Sequence, residues 1–215
     1  MCLKPKLSKT LIIIGPSGVG KGTLIKKLCN EFKDNINLFV SHTSRKIREG
    51  EEDGKSYHFV SEDKFLNMIK DNEFIEYNFY NNNYYGTSKR ELDKVNDNSK
   101  ICLLEIDIKG AKKVYSQGIP AYYIGILPPN NSVLRERLNS RNTESLEQIN
   151  NRLKIAYNEV KELKTVSILN NRIINDDLDI AYEKLKNVFL SYYPDIDSVK
   201  NNNIKSDNVL NNKVS

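Results

Sequence analysis

Apolar residues follow two rhythms along this chain. Leu11 to Ile14 is a short, β-branched run ending at Gly15, which suits a central parallel strand buried on both faces. Leu24, Ile25 and Leu28 then recur at helical spacing between Lys21 and Phe32, so the chain begins strand, glycine loop, helix. Further runs at Ile101 to Ile106 and Tyr122 to Leu127 are each followed by a helical stretch, and this alternation predicts βαβ units. Arg172 to Asn175 forms another buried-looking run before Asp176, and a last helix is predicted from about Leu178 to Tyr193, stopped near Pro194.

Two stretches break the alternation. Within residues 37–97, Phe39-Val40, Tyr57 to Val60, Phe74 to Tyr77 and Tyr84-Tyr85 are short aromatic-rich strand candidates between Gly or Asn turns, which predicts a small mixed insertion. From Asn130 to Lys164 a charged helical pattern carries a thin apolar stripe of Leu134, Leu138, Leu153, Ala156 and Val160, the pattern of a mobile arm. Residues 195–215 hold many Asn and few large apolar groups, and are expected to form a disordered tail. The resulting division is a core of 1–36, 98–129 and 166–194, an insertion of 37–97, a helical lid of 130–165 and the tail.

Composition narrows the function classes. At 215 residues the chain suits one domain with accessory pieces, and 39% hydrophobic with 28% charged residues describes a globular protein. No stretch approaches the roughly 18 apolar residues that span a bilayer, and the start lacks an apolar region followed by small residues, so a cytosolic protein is expected. Cys2, Cys29 and Cys102 are odd in number and widely spaced, which reads as structural thiols rather than disulfides or a zinc site. The net charge of +5 is interleaved with acids and forms no basic run, which favours small anionic ligands over nucleic acid. The abundant asparagines read as a compositional bias that lengthens loops.

The chemistry starts at Gly15-Pro16-Ser17-Gly18-Val19-Gly20-Lys21-Gly22-Thr23, between a buried strand and a helix. In that context glycines let backbone N–H groups converge on phosphate oxygens, the helix N-terminus adds partial positive charge, and Lys21 supplies a point charge. Gly22 stands where such loops usually place the Ser or Thr that binds Mg²⁺. The metal is therefore expected to be held mainly by phosphate oxygens and water, with Thr23 nearby. A phosphate loop leaves the acceptor open. Ser41 to Glu51, followed by Asp53 to Phe59, sets Arg45 and Arg48 beside hydroxyls and Tyr57, and two planar guanidinium forks suit a monophosphate dianion.

In these segments the chain resembles guanylate kinases, from about Thr10 to Tyr193. Also similar are Glu73 to Glu76, Tyr84 to Ser88, Ile106 to Gly110, Arg137 to Glu144 and Ile174 to Asp177. The resemblance implies an α/β fold: a parallel-sheet P-loop core with helices on both faces, a GMP-binding insertion and a helical lid. It also implies transfer of the γ-phosphoryl of ATP to GMP with Mg²⁺, and use of dGMP. Gly18, Val19, Gly20, Lys21, Gly22 and Thr23 would hold the ATP phosphates, with Asn175 and Asp176 beside the adenine.

The same resemblance assigns Glu76 to the N1/N2 edge of guanine, Asp107 to the N2 amine, and Ser41 or Thr87 to O6. It places Arg45, Arg48, Glu51, Tyr57 and Tyr85 around the GMP phosphate. A carboxylate opposite two guanine donors would reject adenine, which presents a lone pair there. Lys21, Arg45, Arg141 and Arg152 would carry the charge of transfer, with Arg137 an added lid candidate. The acceptor oxygen is already largely anionic, so no general base is nominated. Partners are GMP and ATP, for a monomer or weak dimer with no nucleic acid or membrane.

Ile47 and Glu105 depart from the family pattern, where proline and aspartate stand, and Gly22 resembles adenylate kinases instead. An enzyme for another monophosphate is thus the nearest alternative. A peptide-binding scaffold domain of the same fold is a second, disfavoured by the intact phosphate loop and arginines.

Overall fold

The chain is described by a computed structural model covering residues 8–91, 100–139 and 146–196. Among these, β1 (Thr10–Ile14), β2 (Ile36–Leu38), β7 (Ile101–Ile106), β8 (Tyr122–Leu127) and β9 (Asn171–Ile174) make one sheet in the order β2-β7-β1-β8-β9. All of its pairings are parallel. Leu11, Ile12, Ile13 and Ile14 are each 0% exposed, as a strand covered on both faces requires.

Chain order fixes where the helices lie. The connection from β1 through α1 (Lys21–Glu31) to β2 runs toward one edge, whereas β7 through α3 (Ile108–Ser116) to β8 crosses β1 toward the other. Right-handed crossovers in opposite directions put α1 and α3 on opposite faces. The last helix, α6 (Leu178–Tyr192), joins α1, with the rings of Phe32 and Phe189 4.9 Å apart. The long helix α5 (Leu146–Thr165) joins α3, where Lys112 pairs with Glu162. The direction reverses beside β1, so its C-terminal end opens into the crevice where such sheets bind ligands.

A second sheet of β3 (His42–Thr43), β4 (His58–Phe59), β5 (Phe74–Tyr80) and β6 (Asn83–Ser88) has the order β4-β3-β6-β5. Its β5–β6 hairpin turns on Asn81 and Asn82, with φ of 47° and 60°, so two of the asparagines supply the left-handed pair that a tight two-residue turn demands. Between β4 and β5 lies α2 (Glu62–Lys70), capped by the Ser61 side chain. Its Phe65 stacks on Phe74 at 4.4 Å, and Met68 completes a small core separate from the main one.

Some boundaries differ from those the sequence suggests. Phe39-Val40 lies outside the strands. The core sheet takes Ile36–Leu38 instead, because that register pairs Ile36 with Ile101 and Leu38 with Leu103. The strand-rich reading of 37–97 also overlooked α2, although Ser61 followed by Glu62 and Asp63 is a helix-start signal. In the lid, α4 (Asn131–Asn139) and α5 bury all five stripe residues, each at most 5% exposed, within the main core. Tail residues 197–215 and Cys2 lie outside the described residues, while Cys29 and Cys102 are free thiols pushed up to about 11 by burial.

Candidate active site

The phosphate loop leaves β1 at Gly15 and enters α1 through Gly20, the N-cap residue, with Gly18 at φ 83° and Gly20 at φ 94°. These are left-handed conformations that a side chain disfavours. The loop is also packed tightly: a Cβ on Gly18 would sit 2.7 Å from Leu138, and one on Gly20 would sit 2.5 Å from the Asn175 amide. Lys21 Nζ donates to the carbonyls of Gly15 at 2.7 Å and Pro16 at 3.1 Å, and lies 3.8 Å from Glu105 Oε1. Its ammonium is thereby held over the loop.

Two residues expected at the nucleotide brace this loop. Asn175 is 3% exposed, and its Nδ2 donates to the Val19 carbonyl at 2.8 Å. Arg137 Nη1 donates to the Asn175 carbonyl at 2.8 Å and Nη2 to the Asp176 carbonyl at 3.0 Å, with Val19 O 3.5 Å from Nη1. Neither Arg137, Asn175 nor Asp176 lines the cavity described below.

Across the crevice, the insertion presents a carboxyl. A register irregularity between Phe74 and Glu76 sets two residues of β5 against one of β6, so Phe74, Ile75 and Glu76 are all buried instead of alternating. Glu76, 5% exposed, accepts the Thr87 hydroxyl on Oε1 at 2.6 Å, and the Ser41 hydroxyl lies 3.4 Å from that of Thr87. Burial pushes the Glu76 carboxyl up to about 7, and the nearby Asp107 adds to this, against the lowering pull of the Thr87 hydrogen bond. Gly110 makes room: a Cβ there would stand 2.6 Å from Glu76 Oε2. Asp107 caps α3 by accepting the Gly110 N–H on Oδ1 at 2.7 Å, while Asn78 Nδ2 donates to its Oδ2.

The second arginine group has internal structure. Glu51 accepts from Arg45 through both oxygens, at 2.9 and 2.8 Å, and from the Arg48 backbone N–H at 2.9 Å. These donors hold the Glu51 carboxyl below its ordinary value, against a raising effect of burial. Arg45 also lies 5.4 Å from the ring centre of Tyr57, which packs edge-on against Tyr85 at 6.0 Å. Burial raises the Tyr57 hydroxyl out of reach of ionisation. Glu51 thus anchors Arg45 and is not among the cavity-lining residues, whereas Arg45, Arg48, Tyr57 and Tyr85 are.

From the lid, Arg152 is 5% exposed and its Nη2 donates to Ser17 Oγ at 2.5 Å. Arg141 lies outside the described residues. One cavity of about 460 Å³ collects these groups. It is lined by Gly15, Ser17, Gly18 and Gly20 to Thr23 of the loop, Ser41, Arg45, Arg48, Glu76 and Tyr85 of the insertion, Glu105 and Asp107 at the end of β7, and Arg152. Val19 and Thr87 lie behind its wall, Val19 through its braced carbonyl and Thr87 through Glu76.

Four lining residues escaped the sequence reading: Asn78, Tyr80, Asn81 and Glu159. Asn78 and Tyr80 follow Glu76 at period 2 along β5, a signal that the strand pattern held. Glu159 follows Arg152 by two helical turns, which a helical-wheel reading of the lid would have caught. Four cationic side chains and several carboxyls around one crevice can hold a polyphosphate opposite a base bearing hydrogen-bond donors.

Comparison with known proteins points the same way. A family model described as guanylate kinase matches residues 7–192. The guanylate kinase of Clostridium perfringens is 39% identical over 196 residues, covering 91% of this chain and 89% of the relative. That of Homo sapiens is 38% identical over 178 residues, covering 83% and 90%. Guanylate kinase 1 of Oryza sativa is 41% identical over 178 residues, but this chain spans only about half the length of that relative, 47% of it. Among solved structures, a guanylate kinase from Anaplasma phagocytophilum superposes with a TM-score of 0.68 at 28% identity, covering 86% of this chain and 87% of the other. A phosphate loop, a buried base-side carboxyl and a lid arginine around one crevice, carried on a sequence this similar along most of its length, place the chain in the guanylate kinase family.

Proposed function

We propose that this chain transfers the γ-phosphoryl of ATP to GMP, and to dGMP, giving ADP and the diphosphate. The observation that carries the reading is the single cavity in which the loop bearing Lys21 and the buried carboxyl of Glu76 face a common space. A nucleoside triphosphate on the loop and a guanine on Glu76 would bring their phosphates together among Lys21, Arg45, Arg48 and Arg152.

Ionised Glu76 accepts from guanine N1–H and N2–H₂, Asp107 takes the remaining N2 proton, and Ser41 or Thr87 offers a hydroxyl to O6. Adenine would leave the carboxylate facing a lone pair, and an unpaired buried polar group is costly. Arg45 and Arg48 hold the acceptor phosphate, with Glu51 fixing the Arg45 plane and Tyr57 and Tyr85 walling the site. The acceptor oxygen is anionic, so transfer needs alignment and charge neutralisation rather than a base. Lys21 and the loop amides neutralise the donor, and Arg152, joined by Arg141, reaches over the transferring group as the lid excludes water. Asn175, Asp176 and Arg137 keep the loop in shape beside the adenine.

Mg²⁺ fits this donor set. Thr23 and Glu105 both line the cavity, and the missing side chain at Gly22 leaves Glu105 Oε2 4.0 Å from where a Cβ would stand, so these two would hold the ion's water shell. When bound, the ion supplies positive charge to the donor phosphates. The reading also makes the protein a cytosolic monomer or weak dimer without nucleic-acid or membrane partners. No helix among the described residues is long and apolar enough to cross a membrane.

The test offers purified protein ATP and Mg²⁺ with each of GMP, AMP, CMP and UMP, for the native chain and for Glu76→Gln. GMP should be strongly preferred, and the substitution should lower kcat/KM for GMP by about 10² to 10³ while leaving KM for ATP within about twofold. Equal use of AMP would remove the guanine pocket from the account. Inertness with every acceptor would favour a binding module.

A further inference from the structure

The wall that carries Glu76 is built on β5, the outer strand of the second sheet in the order β4-β3-β6-β5. An outer strand leaves one row of its backbone groups without a strand partner. Two carbonyls of β5, those on either side of Glu76, are held by the core helix α3. Gln117 Nε2 donates to the Ile75 carbonyl at 2.6 Å. Lys113 Nζ donates to the Tyr77 carbonyl at 2.5 Å and lies 4.4 Å from the centre of the Tyr77 ring. A third contact runs from Asn78 Nδ2 to Asp107, the N-cap residue of the same helix. The partners follow opposite chain orders, so β5 lies antiparallel along α3. Spacing agrees: four residues of helix rise about 6 Å, and two residues of strand about 6.6 Å.

The place of these contacts matters because β5 is irregular there. Its register on β6 shifts between Phe74 and Glu76, which makes Ile75 the extra residue. Phe74 is buried in the insertion's own core and Ile75 in the main core, so consecutive residues join the two bodies. Gln117 fixes the carbonyl of the extra residue, and Lys113 fixes the carbonyl that follows Glu76. Gly110 stands between them and Asp107 on α3, where a Cβ would lie 2.6 Å from Glu76 Oε2. Gln117 and Lys113 are themselves solvent-exposed, and neither lines the cavity. Substitution at either leaves the packed core and the pocket surface in place.

We infer that Gln117 and Lys113 are positioning residues for guanine recognition: from outside the cavity they hold the irregular turn of β5 against α3, and so set where the Glu76 carboxyl stands relative to Asp107. This rests on the GMP reading of the site for its kinetic consequence, but not for its structural one.

Two measurements on the full chain test it, with Gln117→Leu, Lys113→Met, their combination, and Lys113→Arg, which keeps a donor and a cation over the Tyr77 ring. The first is hydrogen exchange of the β5 and β6 amides in the ligand-free protein. Exchange should speed up at least about tenfold in the combined variant, with the β1 amides unchanged as the reference for global stability. If the combination does not fold, the single variants decide. The second is steady-state kinetics. The combined variant should raise KM for GMP about tenfold and lower the preference for GMP over AMP by a similar factor, with kcat within about threefold and KM for ATP within about twofold. Lys113→Arg should stay within about twofold of the native protein in every constant. A general loss of folded protein would lower kcat for both monophosphates and leave the preference untouched. Unchanged β5 and β6 exchange, or a native KM for GMP and a native base preference in the combined variant, overturns the proposal. A native protein inert toward every monophosphate removes the functional reading, and the exchange measurement still decides whether α3 holds β5.

Discussion

The two walls of the crevice are built on different principles. The phosphate loop is a backbone device: its working groups are amides and a helix end, its shape is set by Gly18 and Gly20 in left-handed conformations, and its supports are main-chain carbonyls held by Asn175 and Arg137. The opposite wall is a side-chain device. Glu76, Thr87, Asp107 and Asn78 come from both sheets and hydrogen-bond in two pairs, while Glu51 locks Arg45. A backbone site is fixed once strand and helix form, and it binds any polyphosphate. A side-chain site discriminates among bases, but only while several separately folded pieces keep their distances.

That contrast can be broken at either wall. The largest effect is expected from Lys21→Met, which removes the one side-chain charge of the loop. It should lower kcat by about 10³-fold, with GMP binding measured by calorimetry almost unchanged. A matching loss of GMP binding would mean that the walls are not separable. Gly110→Ala attacks the other wall. A methyl 2.6 Å from Glu76 Oε2 must displace that carboxyl, because Thr87 holds it on the other side. Steady-state kinetics should show kcat/KM for GMP reduced about 10- to 100-fold and KM for ATP unmoved, although alanine favours the helix itself.

Arg137→Gln separates bracing from catalysis. Loss of its carbonyl contacts should cost about 2 kcal/mol in denaturant unfolding, and kcat should fall less than about fivefold. A thousandfold fall with unchanged stability would return Arg137 to the transferring phosphoryl. The smallest effect is a pH dependence of stability. The folded Glu76 carboxyl sits near 7, above the ordinary 4.5, so its protonated form is favoured by folding. Its contribution is fully present below about 4.5 and is lost as the pH rises to about 7. Glu76→Gln should therefore match the native protein in Tm at pH 4 and exceed it at pH 8.

The same contrast explains which features were legible in the amino-acid order. β7 and β8 stand where their apolar runs predict, and the loop reads directly from Gly15 to Thr23, because a buried strand, a glycine turn and a helix start are each local. Ile36–Leu38 was harder. Its membership in the core sheet depends on pairing with residues more than sixty positions away, which no local pattern displays. Helix α2 was hidden by aromatics that suggested strands, although its cap signal was present. At the site, the residue types at Arg45, Glu76 and Asp107 were visible. The irregularity in β5 that turns Glu76 inward, the space at Gly110 and the grip of Glu51 on Arg45 were not.

By itself the order of residues determined the βαβ core, the phosphate loop and the kinds of side chain available for a guanine and a monophosphate. These follow from hydrophobic period, glycine spacing and charge, which act over a few neighbouring positions. Only the tertiary structure decided which of those side chains share a cavity, that Asn175 and Arg137 stand behind the loop, and that Arg152 meets Ser17 across the lid. Such contacts join residues 38 to 156 positions apart, and their geometry is set by how the sheets and helices pack.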